Sequence, residues 1–155
     1  MKEEQKKQGL NLENNEAYGD SNFFILAFAS LDEEGDKARL ILESIKKGEL
    51  KLYTSPLTVD EVMWVIQYEK NRETASNCAK MMLSTPNLEF IGTTQQIISD
   101  SIEIYNKEKL NPRDAIHLAS MRSKKIKSIF TTDSDFDKIK DIIRIDFSNL
   151  ILAKE

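Results

Sequence analysis

A chain of 155 residues that is 40% hydrophobic, with five glycines and three prolines, has the composition of one folded domain; it is too short for two and too apolar for a disordered polymer. Its formal charge of −4 argues against a basic coat as the means of holding nucleic acid, although carboxylates that bind a divalent cation count as negative only until the cation arrives. The single cysteine, Cys78, and single histidine, His117, exclude an internal disulfide and a zinc centre of sulfur and nitrogen ligands, so any metal site is built from oxygen and suits a hard cation such as magnesium or manganese.

Residues 1–15 are polar and aperiodic and are expected to form a flexible leader, with residues 16–155 as a single domain. No run approaches the roughly 20 apolar residues of a membrane span, and no signal-peptide core follows the charged amino terminus. With so few thiols, the expectation is a cytoplasmic chain with no membrane partner. A first strand is placed near residues 16–20, where only Ala17 and Tyr18 precede Asp20. Phe23 to Ala29 reads as a helix. The stripe Ala38, Leu40, Ile41, Leu42 and Ile45 predicts a second helix that stops at Gly48, a usual terminator.

Leu50 to Thr54 alternates as a strand does, and Ser55-Pro56 opens a helix through Tyr68, since proline is tolerated at the first helical position. Further helices are predicted from about Thr74 to Leu83 and from Thr94 to Lys107, separated by a strand at Leu88 to Ile91. Asn111-Pro112 starts another helix, Ser128 to Thr132 reads as a buried strand, residues 135–141 as a short helix and Ile142 to Ile145 as a last strand. Strands separated by helices predict a three-layer α/β/α fold around a parallel sheet of about five strands.

Acidic residues recur where such a sheet binds ligands, at the carboxyl ends of its strands. Asp20 follows the first strand, Glu61 lies one turn into the helix after the second, and Asp133 ends the strand Ser128 to Thr132. Asp114 begins the helix opened by Asn111-Pro112, a place topology alone does not bring to that rim. Each has a second reading as a helix cap: Asp20 and Asp133 directly, and Glu61 after Thr58 and Asp114 after Asn111 by capping-box spacing. Spacing leaves both readings open, and one residue can serve as cap and ligand together. His117, three residues after Asp114, points to a similar side of that helix and is a group that can donate or accept a proton near neutral pH. Met63 and Trp64 fall on an apolar helical face that belongs to the core or to a partner surface. The run Arg122, Lys124, Lys125 and Lys127 reads as a solubilising helix end, and Arg113 as the better candidate for a substrate phosphate.

The stretches GDSNFFI (Gly19 to Ile25), SPLTVDEV (Ser55 to Val62), NPRDAIHLASM (Asn111 to Met121) and IFTTDSDFDKI (Ile129 to Ile139) occur in the order of the four signature segments of PIN domains. The chain resembles that family, including its VapC-like ribonucleases, over about residues 17–147. It departs in the first segment, where the customary Asp-Thr-Asn is Asp-Ser-Asn and the preceding strand is poor in aliphatics. The resemblance implies that Asp20, Glu61, Asp114 and Asp133 bind Mg2+ or Mn2+ and are catalytic, that Asn22 braces Asp20, and that Thr131 lies beside the site; it assigns His117 no catalytic role, so that residue reads as a packed, hydrogen-bonded support. Asp135 and Asp137 are further candidates for a second ion, Asp137 with the alternative of a solvated helix residue. The implied activity is metal-dependent endoribonuclease cleavage of RNA that leaves a 5′-phosphate. Many small members of the family resemble the toxin halves of toxin–antitoxin pairs, inhibited by an antitoxin segment laid across the acidic cleft; others act in RNA processing. Homodimers also occur among them, and the helices with Trp64 and Met81-Met82 are candidate surfaces. The alternatives are a catalytically silent PIN module for RNA binding or assembly and, less favoured, a phosphotransfer receiver, which would need a lysine where Thr131, Thr132 and Asp133 end the late strand.

Overall fold

Between each strand and the next the chain passes through helical turns, and a chain that returns this way re-enters the sheet in the same direction. The computed structural model describes residues 10 and 12–150. Strands β1 (Glu16–Gly19), β2 (Lys51–Thr54), β3 (Leu88–Phe90), β4 (Ser128–Phe130) and β5 (Ile143–Ile145) form one sheet in the order β3-β2-β1-β4-β5, every neighbouring pair parallel. The helices are α1 (Ser21–Ala29), α2 (Glu33–Lys46), α3 (Pro56–Glu69), α4 (Arg72–Ser84), α5 (Gln95–Glu108) and α6 (Pro112–Ser123). This is the expected three-layer architecture. One core packs α1 to α4 against Ala17, Leu52 and Phe130; the other packs α5 and α6 against Tyr18, Tyr53 and Ile129.

That division explains the scarcity of aliphatics in β1, the central strand. Alternation along a strand sends Ala17 and Gly19 to one face and Tyr18 to the other. On the first face α1 presses close, and a Cβ at Gly19 would lie 3.2 Å from both Leu52 Cδ2 and Phe23 Cδ1. Small residues are required there, so the strand is buried without being aliphatic. Phe23 in turn stacks on Phe130 and Phe147, with ring centroids 5.7 and 6.0 Å away.

Residues 1–9 and 11 of the expected leader, and 151–155 of the expected domain, lie outside the described residues. Leu10 and Leu12 pack against the core beneath α1 to α4, and Glu13–Asn15 form a 3-10 turn that leads into β1. The late strand ends at Phe130, two residues before its predicted end, because the Thr131 hydroxyl accepts the Asp133 amide at 3.0 Å and turns the chain. The short helix expected at 135–141 is a 3-10 turn at Ser134–Lys138. Trp64 and Tyr68 pack edge to face on the outer side of α3, and Met63 and Met81 are exposed whereas Met82 is buried. Three members of the basic run are engaged within the chain: Arg122 pairs with Asp141 and Glu108, Lys124 with Glu89, and Lys127 with Glu13. Among the described residues no helix is long and apolar enough to cross a membrane.

Candidate metal centre

The parallel sheet brings the carboxyl ends of β1, β2 and β4 to one rim, and the turns after them carry the acids. Asp20 follows β1 as the N-cap of α1, its Oδ1 accepting the amides of Asn22 at 3.0 Å and Phe23 at 3.4 Å. Its other oxygen, Oδ2, accepts the Thr131 hydroxyl from the adjacent strand end at 2.5 Å, and the Asn22 amide group approaches it at 3.5 Å. Asp133 caps the 3-10 turn by accepting the Asp135 amide at 2.9 Å. These two residues are therefore caps as well as candidate ligands.

Glu61 and Asp114 are not caps. Glu61 lies beyond the first turn of α3, whose N-cap is Ser55, and its Oε1 meets His117 Nε2 at 2.7 Å. Asp114 is the third residue of α6, but no side chain closes the cap at Asn111. Carboxylate oxygens of Asp114, Asp133 and Asp135 lie within 4.8 Å of one another. The structure thus brings Asp114 to the rim that topology left it free to miss, and Asp135 with it. Asp137 does not join: Arg144 holds both its oxygens, at 2.7 and 3.0 Å. Arg113 is exposed at the start of α6, with no ion pair among the described residues.

Two residues absent from the sequence-based site contribute to it. The Tyr18 hydroxyl is 2.8 Å from His117 Nδ1, so a chain of contacts runs from buried Tyr18 and His117 to partly exposed Glu61, from the sheet to the rim. A signal for Tyr18 existed, since residues two apart on a strand share a face and Tyr18 stands two before Asp20. Arg144 on β5 also donates to Asp146 at 3.1 Å and to the Thr131 carbonyl at 3.5 Å. It ties both ends of the segment bearing Asp133 and Asp135 to the sheet. Nothing local in the sequence marks it.

Crowded carboxylates resist ionisation. Burial raises Asp20 from the ordinary 3.8 to about 6, against the pull of the Thr131 hydroxyl, His117 and the Phe23 amide, with Glu61 pushing further up. Burial also raises Asp114 to about 6, with Asp133, Asp20 and Glu61 adding repulsion that His117 partly offsets. For His117, burial alone would lower the pKa, but Tyr18, Glu61 and Asp20 outweigh it and raise it to about 10. An all-oxygen donor set whose members repel one another fits a hard divalent cation, which removes the repulsion.

The shifts set the direction of a pH effect. Between about pH 4 and 6 folded Asp20 keeps a proton that the unfolded chain releases, so stability falls as pH rises through that window, by about 3 kcal/mol at ~1.4 kcal/mol per pKa unit. The raised His117 adds stability that is complete below its unfolded value and is lost as pH rises toward about 10, in the same direction. With a chelator present the protein is expected to melt several degrees higher at about pH 5 than at about pH 8, and Mn2+ is expected to raise the melting temperature more at the higher pH. A metal-free melting temperature that climbs between those two pH values would contradict this account of the buried acids.

The sequence matches the family described as PIN domain over residues 17–142. No curated protein matches it. Among solved structures, the Sarcin-Ricin loop cleaving toxin VapC20 of Mycobacterium tuberculosis superposes with a TM-score of 0.68 at 19% identity, covering 80% of this chain and 95% of that one. VapBC2 of Rickettsia felis, bound to a DNA fragment from its promoter, gives 0.66 at 16% identity over 84% and 97% of the two chains. A toxin–antitoxin complex from Klebsiella pneumoniae gives 0.60 at 22% identity over 82% and 95%. At these identities the likeness is one of fold.

Proposed function

The chain belongs to the PIN-domain family, and from that premise we propose that it is a cytoplasmic, Mg2+- or Mn2+-dependent endoribonuclease that leaves a 5′-phosphate. The observation that carries the reading is the meeting of Asp114, Asp133 and Asp135 within 4.8 Å, with Asp20 and Glu61 close enough to shift the ionisation of Asp114. The structural neighbours that are toxins or toxin–antitoxin complexes support a role as the toxin of such a pair, with an antitoxin protein as its natural inhibitor. A cytoplasmic setting agrees with Cys78, a free and buried thiol.

Asp20, Glu61, Asp114 and Asp133 would hold the cations, with Asp135 completing the set. Bound there, a pair of divalent cations supplies polarisation of the phosphodiester and eases deprotonation of the attacking water. Thr131 and the α1 amides fix both oxygens of Asp20, so its direction does not have to be found anew when a cation arrives. His117 holds one oxygen of Glu61, Oε1, in a similar way. Arg113, exposed beside Asp114, attracts the substrate phosphate to the amino end of α6, where unpaired backbone N–H groups also favour an anion.

Purified protein is expected to cut RNA with Mn2+ or Mg2+, to stop when EDTA is added, and to leave 5′-phosphate ends. Calorimetric titration that detects no Mn2+ binding, together with intact RNA, would instead identify a silent PIN module.

A further inference from the structure

A depression of about 300 Å³ opens between the carboxyl end of α5 and the amino end of α6, lined by Tyr105, Asn106, Lys109, Leu110 and Asn111. Two connections tie it to the carboxylates. Asn111 is the residue from which α6 starts, and Asp114 lies three residues on, about 4.5 Å along the axis at 1.5 Å per residue. From the other side Lys138, which ends the 3-10 turn bearing Asp135, donates its ammonium group to the Lys109 carbonyl at 3.1 Å. The depression therefore adjoins two of the elements that form the acidic cluster.

Its lining combines groups of different kinds. Leu110 is buried and makes an apolar floor, while Tyr105 is 48% exposed, which leaves much of its ring open to solvent. The side-chain amides of Asn106 and Asn111 make no hydrogen bond, and the Lys109 ammonium no ion pair, among the described residues, and all three residues are exposed. An open aromatic ring, two unused amides and a cation beside a phosphodiester site suit an unpaired nucleobase: the ring stacks, the amides read the base edge and the cation meets the backbone. The volume stands at the low end of the roughly 300–1,000 Å³ of small-molecule sites, room for a single base.

We propose that this depression is a base-binding subsite that seats one unstacked nucleobase of a single-stranded RNA next to the phosphate to be cut. The proposal rests on the nuclease reading and adds the form of its substrate, since a base inside a duplex cannot enter.

The test is fluorescence anisotropy with a labelled six-nucleotide single-stranded RNA, Ca2+ replacing Mn2+. Tyr105→Ala is expected to weaken binding roughly tenfold, within the range that stacking of one base supplies. Tyr105→Phe, which keeps the ring, should bind as wild type does, as should Tyr68→Ala, which removes an exposed aromatic from α3. The same sequence annealed into a duplex should bind more weakly. Unchanged affinity in Tyr105→Ala, an equal loss in Tyr68→Ala, duplex binding as tight as single-strand binding, or no binding by the wild-type protein would each overturn the subsite. Hydrolysis of bis(p-nitrophenyl) phosphate by the wild-type protein with Mn2+, a diester without a base, separates the two failures: if it proceeds while the RNA results go against the subsite, the nuclease reading stands.

Discussion

Asp114→Asn is expected to lower kcat for RNA cleavage by ~10³-fold or more, the equivalent of about 4 kcal/mol in the barrier, while the protein stays folded. Asparagine keeps the shape of the side chain and removes its charge, and the charge is what the site uses. Asp114 closes no cap, so the helix start does not depend on it. Its carboxylate meets those of Asp133 and Asp135 instead, and burial, with repulsion from Asp133, Asp20 and Glu61, raises its pKa to about 6. Without a cation that arrangement is unfavourable at neutral pH, so the metal-free variant is expected to melt at or slightly above the wild-type temperature. Calorimetry should show weaker Mn2+ binding in parallel. A variant that retains more than about a tenth of wild-type kcat would falsify the assignment of Asp114.

The largest expected loss of stability comes from His117→Leu, about 3–5 kcal/mol, which for a domain of this size lowers the melting temperature by on the order of 10 °C. The imidazole is 1% exposed and bridges the Tyr18 hydroxyl at 2.8 Å to Glu61 at 2.7 Å. Leucine fills the space but leaves a buried hydroxyl without its partner and a carboxylate, 14% exposed, without its cation among other carboxylates. Removing one member of a buried polar pair costs more than removing both, so adding Tyr18→Phe should return part of the loss. Tyr18→Phe alone should cost about 1 kcal/mol. Urea unfolding of the four proteins gives the coupling directly. If His117→Leu costs under about 1 kcal/mol, the chain from sheet to rim contributes little and Glu61 is oriented by something else.

Phe23 and Asp20 illustrate how much of this molecule is locally encoded. A carboxylate two and three residues before two amides makes a cap whatever the rest of the chain does, and alternation sets which face of β1 each residue takes. Asp137 illustrates the opposite. By sequence it was a candidate ligand like Asp135, two residues away in the same turn, with the alternative of a solvated helix residue; Arg144 on β5 captures it and leaves Asp135 with the cluster.

The alternation of strands and helices, the caps at Asp20 and Asp133, the parallel sheet that follows, and the acids after β1, β2 and β4 are legible in the order of residues. All of these depend on hydrogen bonds and side-chain periodicity within a few residues, or on the rule that parallel strands share a rim. Three things emerge only once the chain is packed: that Asp114 reaches that rim, that His117 joins Tyr18 to Glu61 across 99 and 56 residues of chain, and which of two nearby aspartates Arg144 removes from the site. Such pairings depend on how α6 and β5 pack against the sheet, and that packing is set by the two cores collectively rather than by any short stretch of residues.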